Sequence, residues 1–149
     1  MSEENQYCTF ILDDLLFGVE VKQVQEVIRF QEMTRVPLAS NVVDGLINLR
    51  GQIVTALDLR RRLNLRDRSE GELPMNVVIR TDGDLVSLLV DEIGDVVETD
   101  ESLFERPPDT LSGSARDLIT GAYKLENRLL LVLDTAKAVS LNGMSLTLT

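Results

Sequence analysis

The amino-acid sequence predicts an all-β fold with short helices, in which one structural pattern occurs twice. Apolar and β-branched residues alternate in short runs, and turn-forming residues separate these runs. Residues 17–28 match residues 86–97 at an offset of 69, and residues 45–58 match residues 121–134 at an offset of 76. The prediction is therefore an internal duplication that produces two lobes of about five strands each.

The individual elements follow from these runs in chain order. The runs that predict strands are YCTFIL, LLFGVEV, GLINL, IVTALDL, NVVIRT, LVSLLV, ITGAYKL and RLLLVLD. Helical spacing of apolar residues is confined to three patches, VKQVQEVI at 21–28, LRRRL at 59–63 and DTAKAVSLN at 134–142. Asp58 and Asp134 stand where the last two patches begin. A carboxylate there accepts a hydrogen bond from the first helical turn, so we predict both as N-caps.

Each predicted lobe is too small to be stable alone, so we expect the two lobes to share one hydrophobic core. One continuous sandwich with similar halves is the alternative. The polar segment RDRSEGELP at 66–74 is the expected crossing between lobes. We expect a single domain over residues 6–140, followed by a C-terminal tail at 141–149.

Composition restricts the possible functions. The 149 residues include no histidine and one cysteine, Cys8, which removes imidazole bases, Ser-His dyads and ordinary zinc sites. We expect no catalytic residues, no metal and no cofactor. The net charge of −10 argues against nucleic acid and anionic membranes as partners. No apolar run is long enough to span a bilayer, and no secretory signal begins the sequence, so we expect a cytoplasmic protein.

Three classes of function were compared on this basis. The first is a non-enzymatic adaptor, the second a small β-barrel enzyme that uses carboxylates, and the third a barrel that binds nucleic acid. The missing histidine and the duplicated cap positions disfavour the enzyme. The negative charge and the six aromatic residues disfavour the nucleic-acid barrel, because single strands stack on aromatic rings.

Two matching hairpin tips, Arg50-Gly51 and Glu126-Asn127, bear most directly on function. A tight two-residue hairpin favours Gly or Asn at its second position, so Gly51 and Asn127 are predicted to be structural. The first position is expected to be free of such a demand. Arginine there suits recognition, because its planar guanidinium donates several directed hydrogen bonds, although an ordinary surface arginine is the alternative. The arginine-rich stretch 60–68 is expected to be a solvated helix face or a basic dock.

Three segments, FGVEVKQVQEVI, GLINLRGQIVTALDLR and LLVDEIGDVV, resemble the CheW coupling proteins of bacterial chemosensory arrays. The resemblance runs from about Gln6 to Ser140. It implies two intertwined five-stranded SH3-like barrels around a shared core. It also implies a scaffold that links the cytoplasmic hairpin tips of methyl-accepting chemoreceptors to the regulatory domain of a CheA-type histidine kinase. Such a scaffold reaches membrane-associated receptor arrays through its partners and does not insert into the membrane itself.

The resemblance also assigns residues. It implies a receptor-facing role for Arg50 and Asn48 of NLRG and for Val24 and Glu26 of VQEV, near the groove between the lobes. It assigns no specific residues to the kinase contact. This sequence departs from the family pattern at Thr55, where members usually have proline, and we expect the change to affect the edge of that strand.

Overall fold

Ten strands and several short helices make up the part of the chain that the computed structural model describes, namely residues 6–37, 39–81, 83–109 and 113–140. The strands are β1 (Gln6–Leu12), β2 (Leu15–Glu20), β3 (Val24–Ile28), β4 (Val43–Leu49), β5 (Gln52–Asp58), β6 (Met75–Thr81), β7 (Asp84–Val90), β8 (Glu92–Glu98), β9 (Ile119–Leu125) and β10 (Arg128–Leu133). The α-helices are α1 (Leu59–Arg62), α2 (Gly113–Asp117) and α3 (Thr135–Val139), and single 3-10 turns lie at Val21–Gln23 and Glu101–Leu103. The predicted tail at 141–149 lies outside the described residues.

The strands form two five-stranded sheets that exchange strands between the halves of the chain. The first sheet has the order β8-β1-β2-β10-β9, and the second has the order β3-β6-β7-β5-β4. Each sheet therefore takes two strands from one half and three from the other. One parallel pair in each sheet, β2 with β10 and β5 with β7, joins the two halves. This arrangement confirms the predicted all-β fold of two intertwined, duplicated units.

The chain passes between the sheets at two places, the 3-10 turn Val21–Gln23 and Asp91, which stand at the equivalent point of each half. The segment 66–74 was expected to be the crossing, but it lies between α1, which follows β5, and β6. Both strands belong to the second sheet because β6 pairs with β3 and β7. The crossing therefore occurs inside each half of the sequence, and segment 66–74 only connects the halves.

An additional backbone bridge closes each sheet toward a barrel. In the second sheet Thr34, which follows edge strand β3, pairs with Leu46 of the opposite edge strand β4 through hydrogen bonds of 2.9 and 2.8 Å. In the first sheet Glu105 pairs with Ala122 in the same way, at 2.8 and 2.9 Å. Both halves of the chain thus use one device to join their edge strands.

A glycine makes room for the closing segment in each barrel. A Cβ atom on Gly45 would lie 2.8 Å from the carbonyl oxygen of Thr34, and one on Gly121 would lie 2.5 Å from that of Glu105. Real Cβ atoms do not approach backbone oxygens so closely. The glycines that matched at an offset of 76 in the sequence are therefore required by barrel closure.

The hydrophobic core is shared, as the small size of the lobes predicted. Its largest cluster contains residues from both sheets, including Phe10 and Phe17 of the first and Ile79 and Leu88 of the second. The rings of Phe10 and Phe17 are stacked, with their centroids 5.9 Å apart. A smaller cluster lies within each sheet. Burial of the largest cluster thus depends on both sheets being present.

Two local expectations are wrong. Residues 21–28 showed helical spacing, but the stretch is a 3-10 turn followed by strand β3, which pairs with β6. Pairing with β6 holds these residues as a strand. Their side chains alternate between half-buried and exposed, which is the two-residue period of a strand. Thr55 was expected at a strand edge, yet β5 has neighbours on both sides, and Thr55 pairs with Leu46 and Val86.

Candidate partner-binding site

The hairpin between β4 and β5 presents Arg50 at its tip. Leu49 pairs with Gln52, so Arg50 and Gly51 are the two central turn residues. Their φ angles are +51° and +86°, as a type I′ turn requires at both positions. The Asn48 side-chain oxygen accepts a hydrogen bond of 2.8 Å from the Gly51 N–H. Asn48 therefore supports the turn from within the molecule.

Arg50 is not conformationally free, contrary to the expectation from the sequence. Its positive φ is disfavoured for a residue with a Cβ atom and a long side chain, and Asn, Asp or Gly is preferred in this place. At the matching tip of the second half only Asn127 has a positive φ, of 67°, so Glu126 is under no such strain. The arginine thus occupies a position where folding alone favours another residue.

The Arg50 guanidinium forms an ion pair with the Glu26 carboxylate of β3. Strands β3 and β4 are the two edges of the second sheet, so this ion pair spans the closure of the barrel. The Arg50 side chain is 72% exposed and that of Glu26 is 19% exposed. The guanidinium is therefore held in a defined direction while most of its surface faces solvent.

The other residues assigned by resemblance lie around this ion pair. Val24 precedes Glu26 by two residues in β3 and is half-buried against the shared core. Asn48 lies in β4 directly before the turn. The structure thus brings Arg50, Glu26 and Asn48 together, and it places Val24 on the same strand as Glu26.

One apolar residue at this site was not predicted from the sequence. Ile53 stands next to the tip in β5, directly opposite Asn48, and is 60% exposed. The strand alternation contained the signal, because Ile53 stands beside buried Val54. An exposed isoleucine beside a charged fork gives the tip both apolar and polar contact groups.

The second half lacks this site. The offsets place Glu126 at the position of Arg50 and Asp95 at the position of Glu26. Two carboxylates cannot form an ion pair, so the Arg50–Glu26 pair has no counterpart at the equivalent tip. The duplicated fold therefore presents arginine as the first turn residue at one tip and glutamate at the other.

Of the five arginines in the stretch 60–68, Arg61 and Arg66 are exposed, as on a solvated face, whereas the other three are at least partly buried. Arg60 is buried and the Arg68 side chain is 10% exposed, and both donate to Asp91 at the crossing between sheets, with Nε to Oδ1 distances of 2.8 and 3.1 Å. Arg62 donates to the carbonyl oxygens that end α3, at Lys137, Ala138 and Ser140. These arginines hold the two halves together, because each contacts a partner far away in sequence.

The two predicted caps occupy the N-cap positions directly before α1 and α3. Asp58 accepts a hydrogen bond of 3.1 Å from the Arg60 N–H, and Asp134 accepts one of 3.1 Å from the Lys137 N–H. Burial raises the pKa of Asp58, and the charges of Arg68 and Arg61 act in the opposite direction. Both carboxylates are thus engaged in holding helix termini.

The described residues contain neither a metal-binding cluster nor a membrane-spanning helix. Among residues 6–37, 39–81, 83–109 and 113–140, no group of three or more Cys, Asp or Glu side chains is placed to hold a metal ion. None of the helices in this part of the chain is long and apolar enough to cross a membrane.

Comparison with known proteins agrees with the fold and with the motifs. The family model described as "CheW-like domain" matches residues 6–142. The chain belongs to the CheW-like domain family. The chemotaxis protein CheW of Bacillus subtilis (strain 168) is 33% identical over 125 residues, which cover 84% of this chain and 80% of that protein.

Further CheW relatives also match this chain over most of its length. The chemotaxis protein CheW of Treponema pallidum (strain Nichols) is 27% identical over 142 residues, covering 93% of this chain and 84% of that protein. The crystal structure of the scaffolding protein TtCheW from Thermoanaerobacter tengcongensis superposes with a TM-score of 0.85 at 23% identity, covering 98% of this chain and 94% of the other. This likeness shows that the CheW-like fold extends over nearly the whole chain.

Proposed function

We propose that this CheW-like protein is a non-enzymatic adaptor that couples the cytoplasmic hairpin tips of chemoreceptors to the regulatory domain of a CheA-type histidine kinase. Its named relatives are chemotaxis proteins, which supports the pathway. The absence of histidine from the sequence supports a role without catalysis. The adaptor acts in the cytoplasm and reaches membrane-associated arrays through its two partners.

The observation that carries the receptor assignment is the conformation of Arg50. A long side chain at positive φ costs about 1 kcal/mol, whereas Asn or Gly would relieve the strain. An exposed ion pair such as Arg50–Glu26 returns roughly 0–1 kcal/mol, so it gives stability little reason to keep arginine here. Recognition gives a reason, because the exposed guanidinium can donate charge-assisted hydrogen bonds to a carboxylate or carbonyl of a receptor helix.

The kinase contact is assigned to a different surface. Heterologous pairing between related barrels needs two unlike ends, and the two tips of this chain differ in charge. We expect an apolar contact with a polar rim that does not depend chiefly on Arg50.

The test compares Arg50→Asn with the wild-type protein. Asn accepts the positive φ and should leave the free energy of unfolding equal or about 0.5–1 kcal/mol higher. The same variant should bind a soluble receptor-tip fragment about ten- to a hundredfold more weakly, because it loses charge-assisted hydrogen bonds. Urea unfolding and titration calorimetry with the receptor fragment measure the two effects, and the kinase regulatory domain serves as the second ligand.

Glu126→Asn at the matching tip is the control and should leave receptor affinity unchanged. Arg50→Lys should restore only part of the affinity, because an ammonium group retains the charge and lacks the fork. Receptor binding by Arg50→Asn equal to that of wild type would overturn the receptor assignment of the tip. If Arg50→Asn lost kinase binding and kept receptor binding, the receptor surface and the kinase surface would be reversed.

A further inference from the structure

A half-open cavity of about 350 Å³ on the first sheet is unrelated to the Arg50 tip. Three aromatic side chains, Tyr7, Tyr123 and Phe104, line it together with two carboxylates, Glu20 and Glu101. Tyr7 in β1 lies directly opposite Glu20 in β2. The cavity thus combines aromatic rings and negative charge within one small volume.

The rings form a defined wall. The centroids of Tyr7 and Tyr123 are 5.7 Å apart, and those of Phe104 and Tyr123 are 5.1 Å apart, with tilted planes in both pairs. The two tyrosines are buried, whereas Phe104 is 43% exposed. Phe104 lies over Gly121, whose missing Cβ leaves space for the ring. The cavity therefore has a rigid floor and an open side bounded by an aromatic ring.

The other half of the chain shows that the fold does not require this cavity. Met33 precedes Thr34 as Phe104 precedes Glu105, so Met33 is the equivalent of Phe104 in the second barrel. The sequence offsets of 69 and 76 give the equivalents of the other cavity residues. The positions of Tyr7, Glu20 and Tyr123 are occupied by Asn76, Leu89 and Ile47, all buried. Leu89 and Ile47 pack in one cluster with Met33. Buried Asn76 and aliphatic side chains fill the second barrel where rings and carboxylates line the first.

The charges around the cavity favour a cation. Glu101 has no ion-pair partner among the residues that the structure describes, and Glu20 pairs with Lys22 at 3.2 Å. Burial, a hydrogen bond with Tyr123 and the nearby Glu20 and Glu101 charges raise the pKa of Tyr7, so its hydroxyl stays neutral. The faces of the rings are electron-rich, and residues 69–149 contain fifteen acidic but only six basic side chains.

We propose that this cavity binds the guanidinium group of an arginine that a protein partner presents. A guanidinium stacks on an aromatic face and donates in-plane hydrogen bonds to carboxylates, and the cavity offers both kinds of contact. A quaternary ammonium would be attracted by the rings and by the negative charge, but it has no N–H to donate and would form no hydrogen bonds with the carboxylates. The open side admits the end of a side chain, and the partner's backbone remains outside.

The test titrates the whole protein with Nα-acetyl-arginine amide and follows the ring signals of Tyr7 and Tyr123 by NMR. Saturable shifts in the millimolar range are expected, with at least about threefold weaker binding of the uncharged citrulline analogue and of tetramethylammonium. Free L-arginine should bind more weakly than the amide, because its own carboxylate would meet the acidic rim. If the citrulline analogue bound as tightly as the arginine amide, the proposed role of the positive charge would be wrong. If tetramethylammonium bound as tightly, the proposed role of the guanidinium hydrogen bonds would be wrong. Tighter binding of free arginine would assign the cavity to a metabolite.

A matched pair of variants locates the site. Glu101→Gln removes an exposed carboxylate of the cavity and should weaken the arginine amide at least about threefold. Glu98→Gln makes the same change in charge at an exposed position of β8 outside the cavity and should bind as wild type. Equal affinities for the two variants, or no saturable shift with the wild-type protein, would refute the proposal.

Discussion

At the scale of single residues, arginine has two different roles in this protein, and burial separates them. Arg60 is buried, Arg68 is partly buried, and both pair with Asp91, so removal of Asp91 leaves two poorly hydrated guanidinium groups without this counter-charge. Arg50 is exposed, and its ion pair with Glu26 is open to solvent and salt. The buried group is therefore expected to control stability and the exposed one to control binding.

Asp91→Asn tests the first part of this statement. Burial alone would raise the pKa of Asp91, but hydrogen bonds from Arg60 and from the Asp13 N–H, with the charges of Arg60 and Arg68, lower it. A carboxylate whose pKa is lowered by folding stabilises the protein at pH values above its ordinary pKa of 3.8. This stabilisation is lost as the pH falls from 3.8 through the lower pKa of the folded state. The variant should lose about 3 kcal/mol of unfolding free energy at pH 7, measured in urea.

The difference between Asp91→Asn and wild type should become smaller below about pH 4, where Asp91 of the unfolded wild-type chain begins to protonate while the folded carboxylate follows only at lower pH. Glu92→Gln alters the exposed neighbouring residue and should have almost no effect. A constant difference between pH 7 and pH 3 would mean that the contribution of Asp91 is not ionic.

At the scale of elements, each barrel depends on the approach of one segment to an edge strand. Gly45 and Gly121 permit this approach, which explains why glycine stands in equivalent places of two otherwise different strands. Closure also places Glu26 of β3 beside the β4–β5 tip. Disturbing closure of the second sheet should therefore disturb the Arg50 site as well.

Gly45→Ala should lower the free energy of unfolding by about 1–3 kcal/mol, because the new methyl group meets the Thr34 carbonyl oxygen. Amide hydrogen exchange at Thr34 and Leu46 should become faster, since these residues form the closing bridge. Gln52→Ala, at an exposed position of β5, provides the control. Unchanged exchange at both amides would show that the bridge tolerates a side chain at position 45.

At the scale of the whole molecule, strand exchange makes the two halves interdependent. Neither half contains a complete sheet, because β1 and β2 pair with β8 and β10 while β6 and β7 pair with β3 and β5. The largest apolar cluster also takes residues from both halves. A shared core of this kind lets two units form, each of which is below the size of an independent domain.

Cutting the chain in the connecting segment tests this interdependence. Fragments 1–69 and 70–149 should each be unfolded, and an equimolar mixture should recover the β-sheet circular dichroism and one cooperative thermal transition. The cut falls outside every strand and helix, so it removes no sheet pairing. A cooperative transition in fragment 1–69 alone would contradict the shared core.

The sequence by itself determined the elements and their duplication. Alternation and β-branching predicted most strands, and Asp58, Asp134 and Gly51 revealed caps and a turn, because these features depend on neighbours within a few residues. The repeated offsets and the NLRG and VQEV motifs led to the correct family. Local chemistry is sufficient for such predictions because it acts over short stretches of chain.

Only the tertiary structure decided how these elements are exchanged and which charges meet. Strand β3 looked helical until β6 paired with it, and segment 66–74 looked like a crossing because composition does not specify the pairing of strands. The Arg50–Glu26 pair and the Tyr7–Tyr123–Phe104 cavity join residues that are distant along the chain. Such contacts form when two barrels close around one core, because long-range burial brings together residues that the local pattern does not relate.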